Sequence, residues 1–231
     1  RDNLEAAMRR ETELFFRHVL DHNQPPREFL DADYSFLNRE LALHYGINGV
    51  EGNALKRVSL KGTGRGGLIG QGAFLTASAN GVDTSPVVRG IYVLEKLLGY
   101  TPPPPPPDVP TIEPDIRGAV TIRGQLEKHR EIATCAECHR KIDPLGFALE
   151  NFDAIGGWRT EYGRNLPVDA SGKLPDGATF KTPDEFRRLM AGRHEQFTRN
   201  LTEKLLTYAL GRELIALDRP QLDANTARMK Q

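Results

Sequence analysis

The chain lacks any apolar run approaching the about 20 residues that span a bilayer, so the sequence predicts no membrane span. It also lacks a charge excess, because 31 Lys and Arg balance 31 Asp and Glu. That balance gives no support for a nucleic-acid or membrane-surface role. A Gly-x-Ser-x-Gly elbow, a metalloprotease helix and a phosphate loop are all missing, which leaves hydrolysis and nucleotide chemistry without a motif. Cysteine is scarce, with two in 231 residues. What the chain has instead is 22 glycines and 16 prolines, a composition that implies much irregular structure around its regular elements. Its length suits one domain or two small ones and is enough to bury a core.

Both cysteines fall in one stretch, Cys135-Ala136-Glu137-Cys138-His139. Cys-x-x-Cys-His is the attachment signature of c-type haem. Two thiols this far apart match the two vinyl groups of a porphyrin, and the following imidazole can ligate the iron. Cys-x-x-Cys also occurs as a redox disulfide or as half a zinc site. A zinc site needs two more ligands, and no second Cys pair is present. A thioredoxin-like motif belongs at a strand end in a βαβ unit, whereas the flanks here read as helical. One covalent haem is the reading. Haem is attached to cysteines outside the cytoplasm, so a chain opening at Arg1 is expected to be a mature or partial form of a longer exported, periplasmic or extracellular protein.

Hydrophobic spacing at Leu4, Met8, Phe15 and Val19 predicts a helix over 2–21, which Asn23-Gln24-Pro25-Pro26 breaks. A second helix is expected from Asp33 to Tyr45, ended by Gly46, with Leu37, Leu41 and His44 on one face. Gly62-Thr63-Gly64-Arg65-Gly66-Gly67 satisfies Gly-x-Gly-x-x-Gly, but the glycines continue to Gly70 and Gly72 and would weaken a following helix. A loop packed closely on something is the reading. Ser85-Pro86 opens a helix with a buried face of Val87, Ile91, Leu94 and Leu98, closed by Gly99. Pro102–Pro107 form an extended spacer.

Thr121 caps a helix through Ala133 that delivers the chain into Cys135. Asp143-Pro144-Leu145-Gly146 should then turn back, with a backbone carbonyl near Pro144 accepting the His139 Nδ1–H. Turns at Asp169–Gly172 and Pro175–Gly177 predict a small β-hairpin within 165–181. Thr182-Pro183-Asp184-Glu185 starts a helix through Met190. Another runs from Glu195 to Leu210, and the tail after Asp218 adds one more. The segments expected are 1–60, a helical end of a preceding domain; 61–110, glycine-rich loop, helix and spacer; and 111–231, the haem-bearing helical domain.

The face of the iron opposite His139 decides between functions, since two strong protein ligands favour electron transfer and an open face permits peroxide or oxygen chemistry. Met190 and His44 are the two candidate distal ligands. Each has a competing role, Met190 as core beside Phe186 and Leu189, His44 as a hydrogen-bonded residue of an apolar helix face. His129 lies too close to its own motif, and His18, His22 and His194 have no supporting context. Trp158 and Arg159 are candidates for the haem edge, with Arg159 or Arg89 holding a propionate; a surface or interdomain ion pair is the alternative for each arginine.

Several stretches resemble a large family of exported, cytochrome-c-like multidomain proteins abundant in planctomycetes. They are Phe29–Tyr34 with His44-Tyr45-Gly46, Gln71–Thr76, Thr84–Gly90 with the proline run, and Leu205–Arg212. The likeness is sharpest over Cys135–Arg159, CAECHRKIDPLGFALENFDAIGGWR. The resemblance implies a haem on Cys135 and Cys138 with His139 axial, and upstream domains in the same polypeptide. The fold expected is mainly α, a cytochrome-c-like haem domain with a small hairpin plus an N-terminal helical segment. Electron transfer with a redox partner protein or those upstream domains is the favoured function. A peroxidase or oxidase using His44, Arg65 or Arg89 is the alternative, and a segment that completes a larger enzyme is a third.

Overall fold

The computed structural model describes residues 2–104, 123–124, 126, 133–162 and 165–229. These are mainly helical with small antiparallel sheets. Helix α1 (Asp2–Asp21) buries Ala7, Met8, Glu11, Phe15 and Val19, a stripe at helical spacing that contains one carboxylate. A short helix α2 (Glu28–Asp31) follows.

The helix expected over Asp33–Tyr45 is only half present. Strand β1 (Tyr34–Leu37) pairs antiparallel with β2 (Lys56–Ser59), Tyr34 opposite Ser59, and helix α3 is limited to Arg39–His44. Tertiary contacts override the local pattern: Ser35 donates to buried Glu11 at 2.6 Å, and Tyr34 and Phe36 both pack against the His18 ring. Asn38 then caps α3, its side chain accepting the Leu41 N–H at 2.9 Å. Leu37 and Leu41 are fully buried, but His44 at the helix end is half-exposed.

The glycine-rich segment leads into a 3-10 turn (Leu68–Gly70) and helix α4 (Gly72–Ala77). Gly67, at φ +54°, lies so close to the Leu30 carbonyl that a Cβ would collide with it. The glycines therefore serve backbone-to-backbone packing, and no phosphate cradle is needed to explain them.

Helix α5 (Pro86–Lys96) starts at Ser85, which caps Val88 N–H. Its buried face is Arg89, Gly90, Val93 and Leu94, whereas Val87 and Ile91 are half-buried, a rotation of the expected face. The rotation brings Gly90 against the Ile142 carbonyl of helix α6 (Ala133–Phe147). Gly146 of α6 reciprocates against the Pro86 carbonyl. Helix α6 carries the cysteine motif and continues through Pro144 where a turn was expected. Proline in a helix interior costs about 3 kcal/mol, and the glycine-mediated seam with α5 is the packing that overrides it.

Two short ladders follow, β3 (Glu161–Tyr162) with β4 (Leu166–Pro167), and β5 (Gly172–Lys173) with β6 (Thr179–Phe180). The second is the hairpin expected around Pro175–Gly177. Helix α7 (Pro183–Ala191) is capped by Thr182, α8 (His194–Leu210) ends at Gly211 in the left-handed region, and α9 (Arg219–Met229) packs on α8. Pro102–Pro104 carry no regular element, while Pro105–Pro107 and most of the helix expected over Thr121–Ala133 lie outside the described residues. One main core draws Phe15 and Leu30, Ile69 and Val93, and Leu145, Phe186 and Phe197 from all three expected segments.

A second, polar centre joins α1 to the glycine-rich loop. Buried Glu11 accepts from Ser35 and Tyr45 at 2.6 Å each, Tyr45 accepts the Gly72 N–H at 2.6 Å, and the Arg65 guanidinium lies 3.9 Å over the Tyr45 ring. Burial pushes the Glu11 carboxyl from 4.5 up to about 7, against the lowering effect of those hydrogen bonds.

Two outcomes are expected. Gly146→Ala should cost about 1–3 kcal/mol or more by overpacking the α5–α6 seam, read by chemical denaturation. Between about pH 4.5 and 7 the folded state holds a proton on Glu11 that the unfolded chain has lost, so this group's stabilisation declines as pH rises through that window. Glu11→Gln should remove that part of the slope, a difference of up to about 3 kcal/mol across the window in paired denaturation curves.

Candidate functional site: the cysteine-bearing helix and its anchor

Cys135, Cys138 and His139 all project from α6. Cys135 is buried and Cys138 half-buried against the main core, and both are free thiols. His139 follows Cys138 directly, and its Nδ1 donates to Asp143 Oδ1 at 2.8 Å across one helical turn. Asp143 is fully buried. This corrects the expected acceptor. The Pro144 carbonyl instead takes the Ala148 N–H at 3.1 Å, because the helix runs on through Pro144. With Nδ1 as the donor, a metal bound by this imidazole would be taken at Nε2.

Cys138 borders a cavity of about 200 Å³ with Tyr100, Pro102, Pro103, Lys141 and Ile142. Two thiols one turn apart on a helix, an adjacent imidazole with a fixed tautomer and a bordering cavity whose wall mixes Tyr100, Pro102, Pro103 and Ile142 with charged Glu137 and Lys141 make a donor set chemically competent for covalent haem. Among the described residues, no group of three or more His, Cys, Asp or Glu gathers as a metal site.

The C-terminal end of α6 is held by a buried ion triad. Arg89 Nη1 donates to Glu150 Oε1 at 3.2 Å and to the carbonyls of Leu149 and Phe152 at 2.8 and 2.6 Å, while Nη2 takes Asp153 O at 2.7 Å. Arg159 meets Glu150 Oε2 at 2.9 Å, Glu150 O at 2.8 Å and Thr84 Oγ1 at 2.7 Å. Tyr162 donates to the same Oε2 at 3.0 Å, and burial beside this carboxylate pushes its hydroxyl well above the usual range. Arg89 is thus fully enclosed by its partners, while Arg159 is engaged through Nε and Nη2. Their common carboxylate lies in the tail of the same motif, and burial makes the pairing obligatory.

The other expected residues are placed as follows. Trp158 packs edge-on against Phe152 with centroids 5.3 Å apart and lies across from Gly64, at the wall of a separate cleft. His44 Nε2 donates to the Ile155 carbonyl at 2.8 Å, which occupies it in the fold. Arg65 is buried, donating to the Gly70 and Gly156 carbonyls. Met190 is fully buried on α7, in the core against which Cys138 packs. His129 lies outside the described residues. Reading by residue type missed Asp143, Glu150 and Glu11. For Asp143 a signal existed, since an acid four residues after His139 shares its helix face.

Against this geometry, comparison with known families gives three matches. Residues 65–162, 176–231 and 1–47 match models described as Protein of unknown function DUF1588, DUF1585 and DUF1592, respectively. These are planctomycete-type domains of unknown function associated with cytochrome-c-containing proteins. The first match contains the cysteine motif, the triad and the proline run, so the spacer lies inside a matched unit rather than between two. No curated protein and no solved structure matches the chain.

Glu150→Ala should leave two buried guanidiniums without their carboxylate and cost about 3–5 kcal/mol. Denaturation should show that loss, whereas Asp218→Ala at the exposed Arg212 pair should shift the midpoint far less.

Proposed function

We propose that this chain carries one covalent c-type haem on Cys135 and Cys138, with His139 as the axial ligand through Nε2, and serves as an electron carrier in an exported multidomain protein. The observation that carries this reading is the pairing of the Cys-x-x-Cys-His motif with buried Asp143, which fixes the tautomer and orientation of His139. Bound there, haem supplies a reversible one-electron couple at its iron.

The chain's own groups do the rest. Asp143 holds the imidazole ring and makes it a stronger donor by accepting its Nδ1 proton. The apolar core behind Cys138 keeps water from one side of the motif. Met190 is the favoured distal ligand because it belongs to that core, whereas His44 is engaged at Ile155. An enzyme with an open face would need a mobile acid or base, yet His44, Arg65 and Arg89 are each bonded to carbonyls of the fold. A redox partner protein or an upstream domain would exchange the electron. No described helix is long and apolar enough to cross a membrane.

Pyridine haemochrome spectra of protein matured in a c-type biogenesis host should show two thioether links, lost stepwise in Cys135→Ala and Cys138→Ala. The wild type should be low-spin and should not bind carbon monoxide, and Met190→Ala should turn it high-spin while His44→Ala leaves it unchanged. Asp143→Asn should raise the reduction potential, since a weaker imidazole donor stabilises the oxidised iron less. A high-spin wild type that takes up carbon monoxide would sink the electron-carrier reading, and absence of covalent haem would sink the cofactor.

A further inference from the structure

A second concavity lies apart from the cysteines. It encloses about 490 Å³ between the glycine-rich loop, the start of α7 and Trp158, within the usual range of ligand clefts. Trp158 is the chain's only tryptophan and is 43% exposed. Its six-membered ring abuts Gly64, where a Cβ would stand 3.0 Å from Cη2 and Cζ3, so the glycine leaves room for the loop to lie along the indole. An indole held this way, packed on Phe152 and Gly64 yet still partly exposed at the cleft wall, offers apolar surface that the fold does not bury in its own core.

The charged groups around that platform are already engaged. Lys61 faces Asp33 at 3.3 Å. Arg187 is shared between Asp184 at 2.6 Å and Asp31 at 3.1 Å. Arg65 is committed to carbonyls and to the Tyr45 ring. An anionic or cationic ligand would have to break one of these pairs. A neutral ligand would not, and hydrogen-bonding capacity remains for it. An ammonium has three donors and a carboxylate about four acceptor sites, of which the pairs use only part. Donors and acceptors lining the same cleft as an indole suit hydroxyl groups, which both donate and accept. The C–H bonds of a sugar ring carry the partial positive charge that the negative π-face attracts.

We propose that this cleft binds a neutral saccharide, one sugar ring stacked on Trp158 and its hydroxyls bonded to Lys61, Asp33 and Asp184. The inference does not depend on haem. A polysaccharide chain lying across the cleft would dock the protein on its substrate or support, through a site separate from the cysteine-bearing helix.

Isothermal titration calorimetry of the full chain tests it, with neutral β-1,4-linked gluco-, xylo- and manno-oligosaccharides and with an anionic oligouronate as the charged control. Millimolar or tighter binding of at least one neutral oligosaccharide is expected, weakened roughly tenfold in Trp158→Ala. Lys61→Ala, at an exposed position that leaves the core intact, should weaken it as well, which keeps the test valid if Trp158→Ala fails to fold. Absence of binding by every neutral oligosaccharide, tighter binding of the oligouronate, or affinity unchanged in Lys61→Ala and any folded Trp158 variant would overturn the assignment.

Discussion

The structure depends on one buried carboxylate. Glu150 follows directly on the helix that carries the cysteines and is fully enclosed. Two guanidiniums meet it, one from α5 and one from the segment after α6. An isolated buried charge would be costly by several kcal/mol. Here the excess positive charge is taken up by backbone carbonyls of the turn that follows α6, those of Leu149, Phe152 and Asp153. Arg89 thus does two things at once, bracing the turn after α6 and pairing with Glu150. Removing any one member exposes the others to an uncompensated interior.

The glycine seam explains how that triad can exist. Arg89 reaches the end of α6 only if α5 lies close to it, and Gly90 beside it removes the side chain that would hold the helices apart. Gly146 does the same from the opposite side at Pro86. Close approach and charge pairing therefore reinforce each other, and together they outweigh the missing N–H of Pro144 within the helix. The cysteines and His139 sit on the N-terminal part of the same rigid rod, so their orientation is inherited from contacts at its other end.

Which parts of this were legible in the sequence follows from how local each cause is. Caps and stops are local, and so Ser85-Pro86, Thr182-Pro183 and Gly211 marked α5, α7 and α8 correctly. Strand β1 was hidden because its partner β2 and its anchor Glu11 are both distant in the chain. The engagement of Arg89 and Arg159 with Glu150 was not legible because an arginine's chemistry is the same toward a ligand carboxylate and a buried glutamate. Only the packing of Glu150 decides between them. The placement of both cysteines and His139 on one helix was legible, since it follows from their adjacency in the chain.

The buried polar groups also bear on what an electron carrier requires. A one-electron change at a histidine-bound iron alters the charge felt by everything nearby, and loose dipoles would reorient in response. Around His139 the nearest charged partner is Asp143, which is buried and bonded to the ring it would respond to. Arg89, Glu150 and Arg159 are likewise locked by several bonds each. Such an interior can absorb a charge change with little movement, whereas proton-coupled chemistry would need a side chain able to swing or titrate. The one described carboxyl with a pKa pushed close to neutrality, Glu11, belongs to the separate centre at Tyr45 and Arg65 and serves the packing of α1 on the glycine-rich loop. The described polar groups along the cysteine-bearing helix are thus held by several bonds each, the arrangement that the proposed electron transfer calls for.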